Sequence, residues 1–361
     1  MRVLTGAFLI CFGVFASVAA NAQTPYPTPV EGDFIAEDFQ FSSGESLDEL
    51  KLHYRTIGKL KRDENGRATN AVLIMHGTTG SGASLLRETF AEYLFQPGGL
   101  LDAQDYFIIL PDGIGHGASS KPSDGMRMDF PEYDYDDMIR AQHLLLTEGL
   151  GVDHLRLVMG TSMGGMHSWM WAYAYPDFID AAMPLASLPV EIAGRNRMLR
   201  KMVIDAIKSD PAWAGGDYEE KPMTGLTAAM YPLIFMVSSP LQYQKQAPTR
   251  EEAEAFLDRL VDRYTAGYDP NDVIYAFDAS RNYNPAPHLH KITAPLIAVN
   301  SADDQVNPPE LQILEREIEK VENGKAVVLP ITDETRGHGT HTVAAQWEDH
   351  LKALLEATAR N

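Results

Sequence analysis

The residues with the most chemical content are Gly160-Thr161-Ser162-Met163-Gly164-Gly165. They follow the apolar run LRLVM and precede a helical pattern, which is the strand, sharp turn and helix of a G-x-S-x-G nucleophile elbow. A serine at such a turn needs small neighbours, because side chains there would collide with adjacent strands or the helix. Its Oγ is then exposed at the positive end of a helix. A serine hydroxyl is a weak nucleophile, so the reading demands a base, an acid that orients the base, and donors for an oxyanion. The chain order expected for such an elbow is serine, acid, histidine. After the run PLIAVN come Asp303 and Asp304, and after the last strand pattern come His338 and His341. Asp304 is preferred because the acid in such loops commonly sits four residues before a proline, here Pro308, while Asp303 can cap a turn. His338 is the base and His341 the reserve. The oxyanion donors are the Met163 N–H and the Thr78 N–H, the latter in the loop His76-Gly77-Thr78-Thr79-Gly80, where His76 reads as structural.

The elements that must position these groups alternate. Ala71 to His76, Tyr106 to Leu110, Leu155 to Met159, Ala181 to Ala186, Pro295 to Asn300 and Ala326 to Pro330 read as strands, most of them continuously apolar as in a parallel sheet covered on both faces. Asp136 to Leu146 and Met163 to Tyr175 carry helical periodicity between them. The fold class is therefore α/β, a mainly parallel, doubly wound sheet. Residues 191–287 break the rhythm and are rich in Met, Tyr and Pro, with a helical pattern from Glu251 to Tyr264. They read as a helical lid inserted into a core of residues 23–190 and 288–361.

With 361 residues and 45% apolar content the chain can bury a large core, and its formal charge of −20 repels a phosphate backbone, so nucleic acid is excluded as a partner. Residues 1–22 read as a secretory signal, with Arg2, an apolar run from Phe8 to Ala20 and the small residues Ala20-Asn21-Ala22. Their run is short for a bilayer. The expectation is an exported protein, periplasmic or extracellular, with no membrane span after cleavage. The single cysteine, Cys11, lies in that segment, so the mature chain has neither disulfides nor thiolate chemistry. His288-x-His290 lacks a third ligand and reads as a solvated pair rather than a metal site. Gly113 to Gly117 has the spacing G-x-G-x-G and no convincing helix after it, so it reads as a substrate-side loop, not a dinucleotide site. Met166, Trp169, Met170 and Tyr173 read as core packing. No cofactor and no metal are implied.

Beyond the elbow, the chain resembles the homoserine O-acetyltransferase branch of the α/β-hydrolase superfamily. The matching text includes LHYRTIGKL (52–60), NAVLIMHGTTG (70–80), DYDDMIRAQHLLL (134–146), GTSMGGMHSWMWAYAYPD (160–177) and DPAWAGGDY (210–218). The resemblance implies an α/β-hydrolase core with a helical lid, and acyl transfer through an acyl-serine on Ser162, Asp304 and His338. Related transferases often pair through their lids, so a homodimer is among the arrangements implied. The departures concern the acceptor. Where those transferases place an arginine for the homoserine carboxylate, this chain aligns Ile204, leaving Arg200 or Arg197 to replace it, and its elbow reads GTSMGG rather than GGSMGG.

Three functions compete with a fourth reading, a catalytically silent binding protein. An exported serine hydrolase would cleave a carboxylic ester, or an amide, of a small-molecule acyl substrate. An acyltransferase needs a lid that excludes water and binds a hydroxyl acceptor. Other chemistry on the same scaffold remains open because fold does not dictate reaction. Export favours the hydrolase, since acetyl-CoA and homoserine are cytoplasmic metabolites. Trp213, Tyr231 and Met236 are candidates for an apolar acyl pocket, with packing of the lid on the core as the alternative.

Overall fold

The structure is a computed structural model that describes residues 24–359. The segment read as a secretory signal lies outside the described residues.

Runs of β-branched and large apolar residues make the middle of one eight-stranded sheet, ordered β1-β2-β4-β3-β5-β6-β7-β8. The strands are β1 (Val30–Gln40), β2 (Ser46–Ile57), β3 (Ala71–Met75), β4 (Phe107–Pro111), β5 (Leu157–Thr161), β6 (Ala182–Leu185), β7 (Leu296–Ser301) and β8 (Gly324–Leu329). Only β2 runs against its neighbours, and the pairs from β4 through β8 are all parallel. Every residue of β3, β5, β6 and β7 is buried, which explains their unbroken apolar text. The expected strands lie within about two residues of the observed ones. What the apolar runs do not announce is the β1–β2 hairpin. Its residues alternate with exposed charged positions such as Glu31, Asp33 and Glu37, because only one face meets the core.

The helices are α1 (Tyr93–Phe95), α2 (Tyr135–Leu144), α3 (Met163–Ala174), α4 (Gly194–Ser209), α5 (Met223–Met236), α6 (Pro240–Gln246), α7 (Arg250–Gly267), α8 (Pro270–Asp278), α9 (Ile313–Ile318) and α10 (Glu348–Ala357). One face of the sheet buries Trp169, Trp171 and Tyr133, and the other buries Phe90, Phe95 and Trp347. Met166, Trp169 and Met170 of α3 belong to the first of these clusters, as helical spacing leads one to expect.

Between β6 and β7 the chain is helical from α4 to α8 and has an apolar centre of its own, including Val203, Met230 and Phe277. Trp213 and Met236 pack against that centre, whereas Tyr231 is exposed. None of the three lines the cavity above Ser162. Among the described residues no single helix is long and apolar enough to cross a membrane.

The segment is tied to the core through Asp272 of α8, which accepts hydrogen bonds from the Ser123 amide (2.9 Å) and hydroxyl (2.6 Å). Burial raises the Asp272 carboxyl to about 6, against the opposing effect of those two bonds. The folded chain thus holds a proton that the unfolded chain releases between about pH 4 and 6. The stability tied to this carboxyl is therefore lost as pH rises through that window. In urea titrations Asp272→Asn is expected to gain stability relative to the parent as pH rises from 4 to 7, with most of the change complete by about pH 6.

Candidate active site

The parallel strands deliver the predicted residues to one edge of the sheet, where their carboxyl ends point. Ser162 follows β5, the Asp303-Asp304 pair follows β7, His338 lies beyond β8, and Gly77-Thr78 follow β3. The elbow is as tight as its glycines imply. Ser162 sits at φ 56° and ψ −110°, a region an L-residue enters only when its surroundings enforce it. A Cβ at Gly160 would stand 2.4 Å from the Gly164 carbonyl, and one at Gly165 would stand 2.3 Å from the Leu185 oxygen. The turn is pinned by Ser162 N–H on the Leu185 carbonyl (2.9 Å) and Gly164 N–H on the His76 carbonyl (2.9 Å).

From Ser162 a chain of hydrogen bonds runs inward. Ser162 Oγ lies 2.8 Å from His338 Nε2, and His338 Nδ1 lies 2.9 Å from Asp304 Oδ2. Asp304 also accepts from the Val306 and Asn307 amides at 2.8 and 3.2 Å and from Asn307 Nδ2 at 3.0 Å. Burial alone would raise its carboxyl. The His338 imidazole and these donors outweigh burial and hold it below the usual carboxylate range. An ionised Asp304 fixes the hydrogen on His338 Nδ1, leaving Nε2 as the acceptor that faces Ser162.

The alternatives separate cleanly. Asp303 accepts from Ser301 Oγ at 2.5 Å and from the Gly337 amide at 2.9 Å, so it clasps the loop that carries His338 instead of touching the imidazole. His341 turns its Nδ1 to the His338 carbonyl and makes no bond to Ser162 among the described residues. His338 is therefore the histidine on the serine.

The Met163 N–H opens α3, where an amide has no intrahelical acceptor. Thr78 and Ser162 line the same cavity. The Gly77 carbonyl is held from behind by His76 Nδ1 at 2.8 Å and by the Gly80 amide at 2.9 Å. In a trans peptide the N–H points opposite to the C=O, so the Thr78 N–H faces away from His76. His76 Nε2 accepts from the Gly113 amide at 3.0 Å, and burial lowers this ring to about 4, fixing a neutral Nδ1–H tautomer. The loop Gly113 to Gly117 braces the same place, with His116 Nε2 2.9 Å from the Thr78 carbonyl.

The cavity over Ser162 holds about 100 Å³ and is walled by Leu199, Leu233, Val237, Phe277 and Val306, most of them from the helical segment. Arg200 also lines it. Its guanidinium is buried and donates to Asn196 Oδ1 (3.1 Å) and Ser280 Oγ (2.9 Å), with no ion-pair partner among the described residues. Arg197 is exposed, and Ile204 packs into the apolar centre of the segment. The His288 ring lies 4.9 Å from that of Tyr173, tilted by 39°. His76 has the structural part expected of it, whereas Asn307 had no signal in the sequence beyond its place in the predicted loop.

This chain belongs to the alpha/beta hydrolase fold family, whose model matches residues 70–339. Within it the chain falls in the homoserine O-acetyltransferase-like branch. It is 32% identical over 282 residues to a probable acyltransferase of Methanothermobacter thermautotrophicus, covering 78% of this chain and 85% of that one. It is 29% identical over 302 residues to a homoserine O-acetyltransferase of Methanohalophilus mahii, covering 76% of this chain and 61% of that protein. Among solved structures, the acetyl esterase MekB superposes with a TM-score of 0.78 at 26% identity, covering 91% of this chain and 97% of its own. The relatives thus include both transferases and esterases.

Proposed function

We propose that the chain is an exported serine hydrolase that cleaves small carboxylic esters through an acyl-serine. The observation that carries the reading is the unbroken path Ser162–His338–Asp304, with distances of 2.8 and 2.9 Å, at the floor of a largely apolar cavity. In acylation, His338 Nε2 takes the Ser162 proton as Oγ attacks the carbonyl carbon. Met163 and Thr78 amides meet the oxyanion, and His338 then returns the proton to the leaving alcohol. Water, activated by the same imidazole, releases the acid.

A second reading is favoured by Arg200, a buried cation facing the cavity that suits the carboxylate of an acceptor. There the acyl group passes to a hydroxyl rather than to water. The two separate in one assay, release of nitrophenol from p-nitrophenyl acetate by the mature chain with and without homoserine. Steady turnover in water, indifferent to homoserine and absent in Ser162→Ala, supports the hydrolase. A burst that stalls until homoserine is added sinks it in favour of the transferase. Export is tested separately by sequencing the N-terminus of the chain recovered outside the cytoplasm, expected to begin at residue 23.

Asp304→Asn is expected to lower kcat about 10³- to 10⁴-fold, because an amide that donates to His338 favours the wrong tautomer. Asp303→Asn weakens only the clasp on Gly337, and about a tenfold loss is expected there. Steady-state kinetics on the two variants checks the division of labour, and a larger loss in Asp303→Asn would reverse it.

A further inference from the structure

The His338 loop carries a second imidazole that acylation does not use. His341 lies in the helical turn Gly339–Thr342, with its ring edge-on to His338 and the centroids 5.1 Å apart. Its Nδ1 is bonded to the His338 carbonyl oxygen. A carbonyl can only accept, so Nδ1 carries the hydrogen, and in the neutral ring Nε2 is a bare acceptor. No hydrogen bond among the described residues uses that nitrogen. Burial, reinforced by the adjacent His338, pushes the ring down to about 3, which keeps it neutral in ordinary buffers. The residue lines the two larger cavities beside the His338 loop. One is the cavity over Ser162, and the other is a more polar space of about 250 Å³ that also reaches Ser84 and Arg87.

We propose that His341 Nε2 accepts a hydrogen bond from the water that cleaves the acyl-serine, and that it thereby selects water over alcohols as the nucleophile. The inference rests on the acyl-serine reading above. Water brings two O–H groups to two acceptors. As its oxygen bonds to the acyl carbon, one proton passes to His338 Nε2. The other hydrogen is donated to His341 Nε2 and stays on oxygen. The bond between the acyl carbon and Ser162 Oγ then breaks, Oγ recovers the proton from His338, and the carboxylic acid leaves. An alcohol has one O–H, which His338 must take, so its carbon substituent is set against the His341 lone pair. His341 is thus a positioning residue for the nucleophile of the second half-reaction, with no part in the first.

The test uses His341→Phe, which keeps a ring but removes both the Nε2 acceptor and the Nδ1–H bond to the His338 carbonyl, and His341→Gln, which returns a carbonyl oxygen and an N–H. The full mature chain is acylated with phenyl acetate, acetyl-Ser162 is followed by mass spectrometry, and products are partitioned between acetate and methyl acetate in added methanol. In His341→Phe the rate of Ser162 acetylation is expected to fall less than deacylation does, so that the lifetime of acetyl-Ser162 lengthens. The ratio of methyl acetate to acetate should rise about tenfold, the worth of one hydrogen bond, and His341→Gln should recover part of that change. An unchanged partition ratio overturns the proposal. So does slower acetylation in His341→Phe with no change in partition, because the ring then merely supports His338. Unchanged phenyl acetate cleavage in Ser162→Ala fails the serine-hydrolase reading itself, and the proposal with it.

Discussion

His338→Ala is expected to lower kcat for p-nitrophenyl ester hydrolysis roughly 10⁵- to 10⁶-fold, and Ser162→Ala by about the same factor. The two groups act as one unit, since the proton that leaves Oγ passes to Nε2, 2.8 Å away. The double variant should therefore be no slower than either single one. Residual rate would come from the Met163 and Thr78 amides and from binding. Burial of Asp304 makes the histidine variant costly in another way: it leaves a sealed carboxylate with only Asn307 and backbone amides for partners. A modest loss of folding stability should accompany the kinetic loss in His338→Ala and be absent in Ser162→Ala. Urea titration of both variants beside the kinetics checks this. Retained turnover in His338→Ala with loss in His341→Ala would move the base to His341.

The second large effect is on folding. A methyl group at Gly164 would stand 2.1 Å from the Met75 carbonyl oxygen, and both sides of that clash are backbone. Neither can yield without breaking the Gly164 amide bond to His76 or parting β3 from β5. Gly164→Ala is expected to cost more than about 3 kcal/mol, at or beyond the upper end of overpacking penalties, and to abolish activity. Gly267 at the end of α7 is the control, because a Cβ there meets nothing within 4 Å. Gly267→Ala should leave the urea midpoint nearly unchanged. Equal effects in the two variants would refute the account of the elbow.

These contrasts explain how much of the molecule was legible beforehand. The elbow could be read because its glycines are imposed by backbone collisions, which act whatever the side chains around them. The chain order of Ser162, Asp304 and His338 could be read because each follows a strand, the first two just past fully buried strands and the histidine nine residues beyond β8. The β1–β2 hairpin lacked that text, since one of its faces is wet. Aligning the helical segment by sequence put Ile204 where an arginine was expected and left Arg200 or Arg197 to replace it; the phase of α4 against its neighbours turns Arg200 into the cavity. Helical phase is fixed by packing against α5 and α8, and no local pattern reports it. The place of Pro308 favoured Asp304 as the acid, but nothing in the letters showed that Asp303 clasps the Gly337 amide. Their division into clasp and acid depends on where the 337–338 peptide lands, 34 residues away.

The spread of the catalytic groups along the chain bears on how the protein comes into being. Ser162 and His338 are 176 residues apart, and the intervening chain contains β6, the helical segment, β7 and β8. Closing so long a loop is among the slower tasks in folding. During synthesis the nucleophile emerges long before its base, so a nascent or truncated chain that ends before residue 338 has an elbow without a proton acceptor. On the proposed mechanism, newly made protein is inert toward esters until its last strand is in place. Recovery of esterase turnover after dilution from urea would accordingly time the completion of the whole sheet, later than any signal from the β3–β5 centre alone.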